Sequence, residues 1–442
     1  MYKSRMKLIK YIGICVGIFA TSVVQAEVVV KDILNSTTSN PTTQNSPTLN
    51  STTQCQSESL ENTFLCGKIS GRLNTLYYST HNAYFVPDLN QDTITTGGFI
   101  KYETQPIAGL SAGFSYAGQW RLDDKDPNKA EVTELSQDKD GLAEAYIDWR
   151  NADWKIRLGQ QSLDVPFVGH YDWRVMPPLF RAADVQYGTQ HDYVRATWID
   201  RFKSYADDQF EKTSRYSSEI ETDGMWSIGA AKSFDFADQK LKTQAWYQSY
   251  TDYNRLAYLE AHLQWEDLPY QPDLGIQAMW SESQGKELAG NTDHQGVGIS
   301  LALKVLNGMT FKTAYNYIKP NEDSYLNGAL FTPYMIYTAS GPYFAQPFFT
   351  STQDLGAGHA AMLSIEGSLN EQTYVGANYS FMHLTEADDV KNLNQSEYVI
   401  YGIYNFDGGL KGWSIANFFG VVTSPRYEDV FIQNRLGLKY SF

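Results

Sequence analysis

The 442-residue chain has little cysteine, little charge and no long apolar run after its first two dozen residues. Of three cysteines, Cys15 falls in the N-terminal leader, which leaves Cys55 and Cys66 without a neighbouring histidine pair, a poor basis for a zinc site. Charged residues make up 19% and mean hydropathy is −0.40, which excludes a polytopic helical membrane protein. Bases are outnumbered, 35 against 50 acids, for a formal net charge of −15, and this argues against nucleic-acid partners. The seven histidines are scattered. No His-Glu-x-x-His, Gly-x-Ser-x-Gly or Gly-x-x-x-x-Gly-Lys motif occurs, so the chain does not read as an enzyme.

Aromatic residues, by contrast, are abundant: 31 Tyr, 22 Phe and 10 Trp, beside 33 Gly. That composition suits a membrane β-barrel, which needs aromatic girdles at both interfaces. Residues 1–26 read as a secretory signal peptide, with Lys3, Arg5, Lys7 and Lys10 ahead of an apolar core and Val24-Gln25-Ala26 at the cleavage site. Its removal leaves 31 bases and 50 acids, a net charge of about −19. Residues 27–67 form an extension rich in Ser, Thr and Asn that buries too little apolar surface to fold alone. Near its end Cys55 and Cys66 read as one disulfide of an exported protein.

From about residue 70 the dominant signal is period-2 alternation. Runs of about ten residues fall near 70–79, 96–104, 109–119, 141–150, 153–161, 180–188, 191–199, 224–233, 239–249, 255–265, 273–282, 295–304, 308–318, 358–369, 371–382, 396–406, 411–421 and 430–442. Short connections such as 151–152 and 305–307 interleave with long ones such as 120–140, 200–223 and 319–357. Two depart from that rule, 250–254 being short for its side and 266–272 long. Eighteen such runs, ending in an aromatic strand with a terminal Phe442, specify an all-β fold: a transmembrane antiparallel β-barrel over 68–442, set in outer-membrane lipid.

One face of the runs carries bases (Arg72, Lys101, Arg150, Lys155, Arg157, Lys242, Lys304, Lys312, Arg435, Lys439) and acids (Glu103, Glu144, Asp148, Asp184, Glu260, Glu366). Such groups belong in a water-filled lumen, since a base facing lipid at mid-membrane costs about 2–4 kcal/mol. The long loops are acidic, with seven acids in 120–140 and seven in 200–223, which would concentrate cations at a pore mouth. Clustered carboxylates could also hold Ca²⁺, although no Asp-x-Asp-x-Asp-Gly loop occurs; no other cofactor is indicated.

One stretch breaks the pattern. Trp154, Ile156 and Leu158 alternate with Lys155 and Arg157, and then prolines and charges interrupt before alternation resumes at Ala183, Val185 and Tyr187. Gly159-Gln160-Gln161, Pro166, Asp172-Trp173-Arg174, Pro177, Phe180 and Ala182-Ala183 resemble the central segment of the OprD-type porins of Gram-negative outer membranes. The resemblance implies an eighteen-stranded pore, a homotrimer or a monomer, passing small hydrophilic solutes and ions. It also implies that the third outer loop, about 162–179, folds inward as a constriction. Asp164, His170, Asp172, Arg174 and Arg181 would then stand at or near the eyelet, above a wall containing Lys155, Arg157 and Asp184. The family's amino-acid-selective members carry a long arginine ladder, whereas this chain has fewer Arg and many Lys, so substrate identity does not transfer. A different reading makes the barrel mainly an adhesin or interaction protein that uses its long loops, above all the aromatic-rich 319–357.

Overall fold

The computed structural model describes residues 55, 59–132, 134–169, 174–205, 207–306, 308–334, 343–350, 356–385 and 394–442. Residues 1–26, read above as a signal peptide, and most of the 27–67 extension lie outside these residues. The alternating runs form β1 (Lys68–His81), β2 (Gln91–Glu103), β3 (Leu110–Arg121), β4 (Lys139–Asn151) and β5 (Trp154–Gln161). A two-residue hairpin, β6 (Asp164–Val165) with β7 (Val168–Gly169), interrupts the series. It continues with β8 (Leu179–Gly188), β9 (Tyr193–Lys203), β10 (Met225–Asp235), β11 (Gln239–Tyr250), β12 (Asn254–Trp265) and β13 (Asp273–Ser283). The remaining strands are β14 (His294–Leu306), β15 (Met309–Ile318), β16 (Gly358–Ser368), β17 (Thr373–Leu384), β18 (Gln395–Asn405), β19 (Trp413–Thr423) and β20 (Phe431–Ser441).

Apart from the hairpin, these strands make one antiparallel eighteen-stranded sheet. It closes on itself where β1 meets β20, from Arg72 opposite Ser441 to His81 opposite Ile432. Beyond the last strand, Gly71 and Phe442 exchange both backbone hydrogen bonds, at 3.0 and 3.1 Å. Closure leaves no unpaired edge, a requirement for any sheet standing in lipid. The expected strands all form, and β2 begins five residues earlier than its alternation indicates. There Thr93 and Thr95 point inward around a single outward Ile94, so the polar face hides the period.

The sheet's outer face is apolar, with Leu73, Ile100, Phe114, Ile147, Leu158, Ile228, Leu259 and Ile400 all exposed. Aromatic rings gather at both rims. Trp154 against Tyr187 and Trp413 against Tyr440, each with centroids 5.0 Å apart, mark the short-turn end. At the long-loop end Trp226 meets Tyr247 at 5.5 Å and Tyr379 meets Tyr398 at 4.9 Å. This is the profile of a barrel with a hydrocarbon belt between two interfaces.

Just before β1, the end of the Ser/Thr/Asn extension is built rather than loose. Cys55 and Cys66 are disulfide-bonded across α1 (Leu60–Leu65), whose first turn is capped by the Ser59 hydroxyl accepting from the Asn62 N–H at 3.1 Å. The Thr63 carbonyl accepts from the Gln105 N–H at 2.9 Å, and the Phe64 carbonyl from the Tyr102 hydroxyl. Tyr102 stands opposite exposed Ile69 in the register and shares its outward face. The helix is therefore tied to the outside of the wall at the short-turn rim.

Gly159 is one position where the wall's geometry is unforgiving. Its φ is +127°, and a Cβ there would sit 2.2 Å from the Ala145 carbonyl oxygen of β4. Gly159→Ala is expected to lower the barrel's stability by about 1–3 kcal/mol. A lower urea midpoint for unfolding in detergent would show this, and an unchanged midpoint would mean that β4 and β5 can move apart at no cost.

Candidate functional site

The loop between β5 and β8 turns into the barrel. Its sequence carries an apolar knot, Val165-Pro166-Phe167-Val168, between charged residues, and Val165, Phe167 and Val168 are all buried. The Phe167 ring meets Tyr258 of β12 edge-on at 5.5 Å, and the Pro166 carbonyl accepts from the Gln248 side chain of β11 at 2.5 Å. On the near side, Arg195 of β9 donates to the Asp164 carbonyl at 2.9 Å and the Ser162 N–H reaches Glu144 at 3.4 Å. Polar wall groups thus satisfy a backbone that has no sheet partner. The loop passes from one side of the lumen to strands four and five positions farther round the ring.

Beneath it lie two lumenal rows set by the β4–β5–β8–β9 register. The row nearer the loop reads Asp148, Arg157, Asp184, Thr197; the next reads Arg150, Lys155, Gln186, Arg195. Asp148 pairs with Arg150 at 2.6 Å and Arg157 at 2.8 Å. Asp184 accepts from Arg195 at 2.8 Å and from the Thr197 hydroxyl at 2.7 Å. Arg157 also lies over the Tyr146 ring at 4.0 Å, and Tyr146 donates to Glu103 at 2.6 Å. Each acid is thereby answered by fixed donors. Lys155 makes no ion pair or hydrogen bond among the described residues, and it lies within electrostatic reach of Arg157, Arg150, Arg195 and Asp184.

A second inward loop joins β15 to β16. Of its described residues, Phe331, Tyr334, Tyr343, Phe344, Phe348 and Phe349 are buried. Buried Glu397 on β18 holds the segment: its carboxylate accepts from the N–H groups of Phe348, Phe349 and Thr350, the last two at 2.9–3.0 Å, and from the Thr350 hydroxyl at 2.9 Å. The Tyr343 hydroxyl meets His294 at 2.8 Å, and Asn254 donates to the Phe331 carbonyl at 2.9 Å. Burial drives the Tyr334 and Tyr343 phenols well above the ordinary tyrosine range, so both keep their protons. These six described aromatic residues are therefore packed away from the outer surface.

The sequence-selected residues divide among several places. Lys155, Arg157 and Asp184 lie together on the lumenal wall. Asp164 opens the hairpin of the inward loop. Arg174 is buried at 2% exposure, 2.6 Å from Glu134 and over the rings of Tyr78 and Tyr205. It is a strut joining three outer loops and the wall. Arg181 shares the outward face of Ala183 and pairs with Asp200 on β9, away from the lumenal rows. His170 and Asp172 lie outside the described residues. Arg195, Gln248, Tyr258 and Glu397 were not singled out from sequence. Nor was Phe167, although the apolar knot around it, set inside a charged loop, is a signal that could have found it.

Glu397→Gln should free the second inward loop by weakening its charge-assisted hydrogen bonds. Amide exchange at residues 348–350 is expected to speed up about tenfold or more, with strand amides unchanged. Equal protection in wild type and variant would show that ring packing alone holds the segment.

A sequence comparison with curated proteins gives no match. Among solved structures the chain is similar to Pseudomonas aeruginosa OccK9 (OpdG), with TM-score 0.72 and 15% identity over 86% of this chain and 99% of that one. It is also similar to Acinetobacter baumannii OccAB4, at TM-score 0.70 and 16% identity over 85% and 98%. A third similar structure is Pseudomonas aeruginosa OpdK with vanillate, at TM-score 0.69 and 14% identity over 85% and 98%. At these identities the likeness establishes the fold. The family model for outer membrane porins of the OprD family matches residues 128–354, just over half of the chain, including both inward loops almost entirely. The chain belongs to the OprD family of outer membrane porins.

Proposed function

We propose that the protein is a passive diffusion channel for small hydrophilic solutes and ions, narrowed by the third outer loop, about 162–179. Its lumenal wall favours anionic solutes, small carboxylates above all. Lys155 carries this reading. It faces the lumen under the inward loop, and the neighbouring acids Asp148 and Asp184 are already held by Arg150, Arg157, Arg195 and Thr197. A fixed cation without a fixed partner attracts a mobile anion, and low-dielectric walls strengthen that field.

The acidic loops favour cations, but their charge is partly answered locally. Asp123, Asp126, Glu131, Asp223 and Asp252 each have a lysine or arginine within 4.0 Å. These exposed pairs add little stability, yet they reduce the field at the mouth. The wall around Lys155 is closer to where a permeating solute is confined. Asp164, at the hairpin of the inward loop, belongs to the proposed constriction, as do the expected eyelet positions His170 and Asp172, which lie outside the described residues.

Purified protein in a planar bilayer is expected to give stepwise conductance and, in a salt gradient, a reversal potential of anion-selective sign. Lys155→Glu should lower the anion-to-cation permeability ratio severalfold and slow vanillate uptake into proteoliposomes, while Lys68→Glu at the rim leaves both unchanged. Cation selectivity in the wild type would overturn the assignment of charge preference, and absence of conductance steps would overturn the channel itself.

A further inference from the structure

The barrel's lipid-facing surface has a groove of about 390 Å³ across β12–β15, at the long-loop end. Ala257, Leu259, Ala278, Trp280, Val297 and Tyr317 line it, and Gln295 and Lys319 close its upper end. The register explains the notch. Leu259, Ala278, Val297 and Tyr317 form one outward row, and Ala257, Trp280 and Gln295 form the row above it. The alanines leave a gap between large side chains that a smooth lipid-facing wall would fill.

The polar rim continues this row sideways. Tyr317 stands opposite His359, whose ring lies 5.0 Å from it, and His359 stands opposite His383, with ring centroids 6.1 Å apart. The Tyr315 hydroxyl meets His359 Nδ1 at 2.6 Å. Lys319 is tied to Gln295 through a backbone bond of 2.9 Å and a side-chain contact of 3.4 Å. Glu282, at a similar height, is paired with Arg255. An apolar notch thus lies beneath donors and a cation, all on the outside of the wall, where no solute in the lumen reaches them.

We propose that this surface binds a phosphorylated glycolipid of the outer leaflet, one acyl chain lying in the groove and a phosphate meeting Lys319 with the His359–His383 pair beside it. Small residues accept the chain because its methylene groups fill the gap left by Ala257 and Ala278. The phosphate supplies acceptors for the ammonium and the imidazole N–H groups at the interface. The site is independent of the lumenal wall and of what the pore transports.

The test uses full-length protein extracted in mild detergent and incubated with bisphosphorylated lipid A, lipid A stripped of phosphate, or phosphatidylglycerol, with retained lipid counted by native mass spectrometry. Wild type should retain bisphosphorylated lipid A over the other two. Lys319→Gln removes a headgroup charge and is expected to reduce retention roughly fivefold. Ala278→Trp fills the notch and should reduce it at least as much, whereas Ala183→Trp, on the lipid face of β8, should leave it unchanged. Heat-dependent gel mobility confirms that each variant is folded. Equal retention of all three lipids, or full retention by both Ala278→Trp and Lys319→Gln, overturns the proposal. So does a change of oligomeric state in Ala278→Trp without lipid loss, which would make the groove a contact between copies of the chain.

Discussion

Everything in this molecule depends on closing the hydrogen-bond ladder between β1 and β20. A strand edge facing hydrocarbon leaves each unpaired backbone group without water to satisfy it, at a cost of several kcal/mol per group. Closure fixes an inside and an outside, and each strand's alternation follows from that division. The outside must then be apolar and rimmed with rings, while the inside is free to hold charge. The pairing of Gly71 with Phe442 carries the seam to the last residue of the chain.

Inside that ring, both inward loops meet the same constraint. Irregular backbone inside a barrel needs donors and acceptors supplied by the wall, and here glutamine, asparagine, arginine and glutamate side chains provide them. Gln248, Asn254, Arg195 and Glu397 all reach loop backbone. Aromatic contacts such as Phe167 on Tyr258 then fill the space between these anchors. Two loops turn inward, and they are held in different ways. The loop after β5 is a short, proline-stiffened hairpin pinned by single contacts at several points, and the loop after β15 is a longer segment with one buried carboxylate taking three of its backbone N–H groups.

The barrel was legible because alternation is local: Leu158 and Arg157 point to opposite faces whatever their partners are. Strand number and the order of long and short connections come from the same signal, and β2 shows its limit, since threonines on a wet face and threonines in a loop look alike. The lumenal rows were partly legible. Lys155, Arg157 and Asp184 could be assigned to the inner wall, but not the register that sets Arg195 beside them, because register belongs to pairs of strands. Loop side chains were least legible. Arg174 and Arg181 are both arginines flanking a proline-rich turn, yet one is a buried strut on Glu134 and the other an outward partner of Asp200. The fate of the aromatics in 319–357 was likewise hidden, because a ring that coats a surface and a ring that fills a lumen are written with the same residues.

The tie between α1 and the outer wall bears on traffic at the pore's other end. Because Tyr102 and Gln105 hold the helix outside the sheet, and Cys66 holds Cys55 to it, the chain arrives at β1 from the flank of the barrel. The disulfide thus keeps Cys55 beside the hull rather than across the hatch. Solutes leaving the lumen at the short-turn end do not have to pass its point of attachment.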